Sequence, residues 1–337
     1  MNVFMIGGTG LLGSEGAKEL IRRGHTVSSI ALPPIPAGAQ LPAEMAIDFA
    51  NYLELSDDQI RDYFHGCDAF VFAAGIDERV EGPPPIYEMF KKYNITPLER
   101  LLRLAKACGV RHAVICGSYF AYFDRVWTDL KLAGHHPYIR SRVDQAKMAL
   151  SFADENFDVA ILELPYIFGT QPGRKPVWVF LVEQIRSMPW ATLYPHGGTT
   201  MVTVRQVGQC IAGALENNRS GTNYPVGYYN LEWTELIKII HKHMGVPAKK
   251  IITVPDWLFR VFTRSVVRQQ RKAGHEGGLD MPEFAKVMCA KAFIDRSTIV
   301  GQLGVQPDDI DAAIGESIRL CMEIINGQTQ PIGMKGE

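Results

Sequence analysis

Val3-Phe4-Met5-Ile6-Gly7-Gly8-Thr9-Gly10-Leu11-Leu12-Gly13 decides the fold. Four apolar residues of strand type run straight into glycines, and helical spacing begins at Leu11. A glycine pattern placed between a strand and a helix is a dinucleotide signal. Glycines permit the tight turn and let the backbone approach a pyrophosphate, whose charge is met by free N–H groups at the helix start. Gly7, Thr9, Gly10, Leu11, Leu12 and Gly13 are therefore candidate cofactor contacts. The competing reading is a tight turn without a ligand. The strand–helix alternation behind the loop favours the nucleotide.

Working outward, apolar β-type runs at 2–6, 26–31, 44–47, 69–73, 112–117 and 158–163 alternate with helical patterns at 11–23, 57–64, 86–108 and 138–155. Such alternation predicts a doubly wound parallel α/β sheet of Rossmann type, covered on both faces. After Pro165 the pattern is broken by Gly, Pro and aromatic residues, with helices expected at 204–217, 232–244 and 308–325. A Pro-flanked stretch, 255–272, carries Arg260, Arg264, Arg268, Arg271 and Lys272, which read as a solvated helix face or as cations for an anionic substrate. The expected organisation is a nucleotide-binding domain over 1–165 and a smaller substrate-binding cap over 166–337, some of whose segments return to the sheet.

The 337 residues carry 35 Lys+Arg against 36 Asp+Glu, 47 % apolar and 21 % charged residues. This is ordinary globular usage, with no electrostatic footprint for nucleic acid or an anionic membrane. No apolar run approaches the ~20 residues that span a bilayer. The N-terminus lacks the basic and small-residue marks of an export signal. Six scattered cysteines, with no Cys-x-x-Cys pair, read as reduced thiols. A cytoplasmic protein acting on a small molecule, without nucleic-acid or membrane partners, is expected.

The end of the second strand separates NAD from NADP: an acid there bonds the ribose diol, while an Arg nearby accepts a 2′-phosphate. Ser28-Ser29-Ile30-Ala31-Leu32-Pro33 offers neither, so NAD or NADP stays open. Asp48, after the third strand, reads as an adenine-side contact or a turn aspartate, and Phe49 joins it as a candidate. Ser118 follows the strand Ala113-Val114-Ile115-Cys116. Twenty residues on, Tyr138 and Arg142 stand at i, i+4, which shares one helix face. A phenol ionises near 10, and a fixed cation beside it favours the phenolate. A hydroxyl such as Ser118 can orient the oxygen of a carbonyl or alcohol. These are parts for moving a proton beside a bound redox coenzyme.

These residues resemble the extended short-chain dehydrogenase/reductase family, which includes the NAD-dependent epimerase/dehydratases. Gly7 to Gly13 is similar to its glycine motif, Phe72-Ala73-Ala74-Gly75 to its fourth-strand motif, and Tyr93-Asn94-Ile95 to a helix motif. Ser118 to Tyr122 resembles the segment of the catalytic serine, and Pro137-Tyr138 to Arg142 the Tyr-x-x-x-Lys region. Ala292 to Asp295 and Leu303-Gly304 resemble its C-terminal segment. The resemblance implies Tyr138 as acid/base, Ser118 as partner hydroxyl and Arg142 as the cation on the nicotinamide ribose. Ala73, Ala74, Gly75 and Pro165 join the cofactor set. It also implies a homodimer through the helices at 86–108 and 138–155.

Three positions depart from the pattern. The family lysine is Arg142, the pair at the sixth strand is Glu163-Leu164, and Thr199 to Gln206 has no Arg at the point before the Val-Asp-Asp motif of the nucleotide-sugar enzymes and lacks both its acids. The preferred expectation is an NAD(P)-dependent oxidoreductase acting on a carbonyl or secondary alcohol. The alternatives are a nucleotide-sugar epimerase or dehydratase, and a non-catalytic dinucleotide sensor. Arg142→Lys is expected to preserve or raise activity. No metal is expected. His241 and His243 point apart on a helix, and His135-His136 reads as lining a substrate entrance.

Overall fold

The structure, a computed structural model, describes residues 1–329, 331 and 332; for Phe262, Val266 and Arg271 it describes the backbone alone. The end of the expected cap, 330 and 333–337, and the Arg271 side chain lie outside the described residues.

Seven parallel strands form the central sheet: β1 (Asn2–Ile6), β2 (Thr26–Ala31), β3 (Ala46–Phe49), β4 (Ala69–Phe72), β5 (His112–Cys116), β6 (Asp158–Glu163) and β7 (Gly221–Pro225). Their spatial order is β7-β6-β5-β4-β1-β2-β3. The order reverses at β1, and open sheets of this kind bind ligands at the carboxyl ends beside that reversal. β4 is buried at every residue, and β1, β5 and β6 at all but the first. Burial on both faces explains why these strands read as unbroken apolar runs.

Helices α1 (Leu11–Arg22), α2 (Asp57–Phe64), α3 (Thr96–Ala107), α4 (Tyr119–Val126), α5 (Pro137–Leu150) and α6 (Val204–Asn217) pack around the sheet or its carboxyl end. One face buries Leu20, Val114, Val207 and Ile211; the other buries Phe4, Phe64, Phe70, Leu102 and Ile161. The rest of the chain, with Trp178, Trp233, Ile240, Phe284 and Ile314 at its centre, closes an apolar cluster over the sheet end. Thr203 and Gln206 close a reciprocal cap at the α6 start, and β7 pairs with β6 at the sheet edge.

Several bounds differ from the sequence reading. The third strand is shifted to Ala46–Phe49, so Asp48 and Phe49 lie on it, opposite Ile30 and Ala31, rather than after it. The pattern at 86–108 is helical but not uniform, with a π-helical turn at Lys91–Ile95 between Tyr87–Phe90 and α3. Pro97 has no N–H to return to residue 93, and the local register widens there. α5 ends at Leu150 rather than 155, because Asp154 turns back to Phe157 and starts β6. Among the described residues no helix is long and apolar enough to cross a membrane.

Candidate active site

The glycine loop joins the carboxyl end of β1 to α1. A Cβ on Gly7 would stand 2.5 Å from the Ala73 carbonyl oxygen, and Gly7 has φ +93°; a Cβ on Gly13 would stand 2.1 Å from the Gly7 oxygen. No side chain fits at either place. The Gly8 N–H donates to Ser29 Oγ at 3.1 Å, which ties the loop to β2. α1 opens at Gly10 with no side-chain cap, leaving the first N–H groups of the helix for a ligand. A packed glycine cradle beneath an uncapped helix start suits a dinucleotide diphosphate. Ala73 donates its N–H to the Ile6 oxygen, and Gly75 follows at φ +130°. Pro165 is buried just past β6. Asp48 faces the Tyr63 hydroxyl of α2, and Phe49 is exposed at the strand end.

Tyr138 and Arg142 lie one turn apart on α5, both buried. Arg142 Nε donates to Tyr138 Oη at 3.1 Å, Nη1 to Gln145 Oε1 at 2.9 Å and Nη2 to the Ile76 oxygen at 3.3 Å. Asn94, in the π-helical turn, accepts from the Ile76 N–H at 2.8 Å and donates to the Ile76 oxygen at 3.0 Å, while Gln145 donates to the Asn94 oxygen. Asn94 and Gln145 thus complete a buried net that aims the guanidinium at the phenol. The Tyr93-Asn94-Ile95 motif marked Asn94 in the sequence, but nothing marked Gln145. These three bonds leave two of the five guanidinium N–H donors for the ribose contact implied for Arg142.

The net charge effect on Tyr138 runs opposite to the sequence expectation. Arg142 favours the phenolate, but burial outweighs it and pushes the phenol above its usual value, with Glu78 and Asp77 adding to the rise. The covering groups come from distant parts of the chain. Tyr138 N–H donates to the Gly278 oxygen, and the rings of Phe90 and Phe120 stand 5.5 and 6.3 Å away. Burial, with Asp77 adding and Arg79 and Arg142 opposing, lifts the Glu78 carboxyl to about 7. Ser118 is buried at the start of α4, where its Oγ accepts from the Phe120 N–H at 3.4 Å. α4 packs on α5, which sets Ser118 and Tyr138 on adjoining elements. At neutral pH this arrangement holds a protonated phenol under an apolar lid.

His135 and His136 do different things. His135 is exposed and lines a cavity of about 320 Å³ with Pro84, Gln270, Glu276 and Asp280. His136 is 1 % exposed, and its Nδ1 accepts from the Asp280 N–H at 3.0 Å. It is therefore a buried strut and lines no entrance. Burial holds it down at about 4 against an ordinary 6.5. Between pH 6.5 and 4 the unfolded chain binds the extra proton, so stability falls as the pH falls, by up to ~3 kcal/mol. Melting temperatures measured from pH 7 to 4.5 should drop more steeply for the wild type than for His136→Gln, and parallel curves would refute this. Among the described residues no group of three or more His, Cys, Asp or Glu is placed to hold a metal.

A family model described as the NAD dependent epimerase/dehydratase family matches residues 3–227. A protein of Synechocystis sp. described as "Putative dihydroflavonol 4-reductase" is 22 % identical, over 94 % of this chain and 93 % of that protein. The crystal structure of gox2253 matches the fold with a TM-score of 0.73 at 19 % identity, covering 98 % of this chain and 99 % of the other. UDP-glucuronic acid 4-epimerase from Bacillus cereus, in complex with NAD, matches with a TM-score of 0.66 at 13 % identity, covering 96 % and 99 %. Likenesses at these identities speak for the fold alone.

Proposed function

This chain belongs to the NAD dependent epimerase/dehydratase family, and from that premise we propose that it is an NAD(P)-dependent oxidoreductase acting on a carbonyl or secondary alcohol. The observation that carries this reading is the 3.1 Å contact from Arg142 Nε to Tyr138 Oη, buried at the sheet end that also bears the glycine loop. A nicotinamide dinucleotide, when bound, supplies hydride exchange. Tyr138 Oη gives the proton to the substrate oxygen, or takes it in the reverse direction. Ser118 Oγ bonds the same oxygen. Arg142 orients the phenol and stabilises the phenolate left after proton transfer. The apolar cluster around Tyr138 excludes water. The strand Gly198–Thr203 is buried throughout and bears no cation. It therefore offers no clamp for a sugar-nucleotide diphosphate, which favours the oxidoreductase reading over an epimerase.

The test is a hydride-exchange screen over ketones, aldehydes and sugar nucleotides with both dinucleotides. Binding of a dinucleotide without turnover on any of them would leave a sensor. Arg142→Lys is a sharper probe, and the geometry reverses the expectation from the sequence. A guanidinium fork serves three acceptors here, whereas an ammonium on a shorter stem meets fewer and leaves Gln145 Oε1 buried without its donor. Turnover should fall by about 10-fold, corresponding to ~1.4 kcal/mol of lost positioning. Unchanged or raised turnover would show that charge alone matters at this position.

A further inference from the structure

Beside the glycine loop sits a turn, Gln171-Pro172-Gly173-Arg174, that the mechanism above does not use. Its backbone closes through the Arg174 N–H to the Gln171 oxygen at 3.0 Å. On one side it leans on the segment that leaves β2: a Cβ on Gly173 would stand 2.5 Å from Pro36 Cβ and 2.6 Å from the Ala37 oxygen. On the other side Arg174 reaches the glycine loop, with Nη2 3.4 Å from Thr9 Oγ1. Among the described residues Arg174 Nε is buried without a partner, and Gln171, 2 % exposed, has neither amide atom bonded. No carboxylate among the described residues pairs with Arg174, and burial alone depresses its ionisation. A half-buried cation with unspent donors, beside a buried amide with none satisfied, is a site built for an oxyanion.

Its place says which oxyanion. The diphosphate of a dinucleotide belongs to the uncapped start of α1, whereas the ribose 2′ position belongs to the end of β2. β2 ends in Ile30-Ala31 and continues as Leu32-Pro33, with no acid to bond a ribose diol. The turn that carries Arg174 bridges the glycine loop, through Arg174, to the stretch that follows this strand, through Gly173. We propose that Arg174, supported by Thr9 and Gln171, binds the adenosine 2′-phosphate and makes the protein select NADP over NAD. The cation that the end of β2 lacks comes from a residue some 140 positions further along the chain. This selectivity rests on the oxidoreductase reading above.

Dissociation constants of NADH and NADPH, from fluorescence titration without substrate, test it on the wild type, Arg174→Gln and Arg174→Lys. Competition by 2′,5′-ADP and by 5′-ADP separates the two phosphates. The wild type should bind NADPH at least about 10-fold tighter than NADH, and 2′,5′-ADP should compete better than 5′-ADP. Arg174→Gln should weaken NADPH by about 10- to 100-fold while NADH changes by less than about 3-fold, and Arg174→Lys should fall between. A wild type that binds NADH as well as NADPH would overturn the proposal. So would equal weakening of both by Arg174→Gln, which would place the arginine on the shared diphosphate or in the fold. Failure of the wild type to bind either dinucleotide would instead sink the oxidoreductase reading, and this selectivity with it.

Discussion

Tyr138→Phe should lower turnover by about 10³-fold, while the dissociation constant of the dinucleotide moves by less than about 3-fold. The substitution removes one oxygen and leaves the ring among Phe90, Phe120 and the Gly278 backbone. A positioned general acid contributes 10²- to 10⁴-fold, and the middle of that range corresponds to ~4 kcal/mol in the barrier. The loss should fall on kcat, because the hydroxyl serves the transferring proton and among the described residues it bonds Arg142 Nε alone. A modest fall in stability accompanies it, since a buried guanidinium nitrogen loses its acceptor at a cost of about 1–3 kcal/mol. Direction matters as well. The phenol is held above its usual value, so it enters the cycle protonated, and carbonyl reduction should be insensitive to pH through neutrality. Above about pH 7 the ionised Glu78 opposes the phenolate further, so alcohol oxidation gains little from mildly alkaline solution. Turnover within a few-fold of the wild type would remove Tyr138 from the mechanism.

Much of this site was legible because its chemistry is local. The glycine loop declares itself by lying between an apolar strand and a helix. Tyr138 and Arg142 declare a shared face by their spacing. The strands β1, β4, β5 and β6 read as plain apolar runs because they are buried on both sides. What was not legible depends on contacts between distant residues. The sign of the Tyr138 shift is set by burial, to which Gly278 contributes from 140 residues away. The hold of Asn94 and Gln145 on Arg142 needs the register change at Lys91–Ile95, which no periodicity announces. His136 looked like a pocket residue beside His135 until the Asp280 N–H claimed its ring nitrogen. The edge strand β7 is too polar, with the pattern Gly221-Thr222-Asn223-Tyr224-Pro225, to stand out from its surroundings.

The Glu163-Leu164 departure has a partner that only the fold supplies, and cutting that pair is the largest stability change expected here. Glu163 is fully buried at the end of β6, where Arg125 of α4 binds it with two parallel bonds, Nη1 to Oε1 at 2.6 Å and Nη2 to Oε2 at 2.7 Å. Burial raises the carboxyl while Arg125 draws it back. Arg125→Met deletes the compensation and leaves the carboxyl in the interior. Breaking a buried pair from one side costs about 3–5 kcal/mol, and the low end applies because the Arg125 side chain is 42 % exposed. The sign of the pH dependence follows from the raised carboxyl. Protonated, it needs no partner, so the deficit is small near pH 4.5 and grows as the pH climbs past neutrality. Urea denaturation at pH 5 and pH 8 should therefore show the variant close to wild type in the first case and about 3 kcal/mol weaker in the second. The double variant Arg125→Met with Glu163→Gln should regain most of the difference at pH 8. A single variant as stable as wild type at pH 8 would refute the pair as a stabilising element. The consequence reaches the site, because the Glu163 oxygen accepts from the Val226 N–H and the Leu164 oxygen from the Tyr119 N–H, one residue past Ser118. Loosening this corner should therefore weaken substrate turnover before it unfolds the sheet.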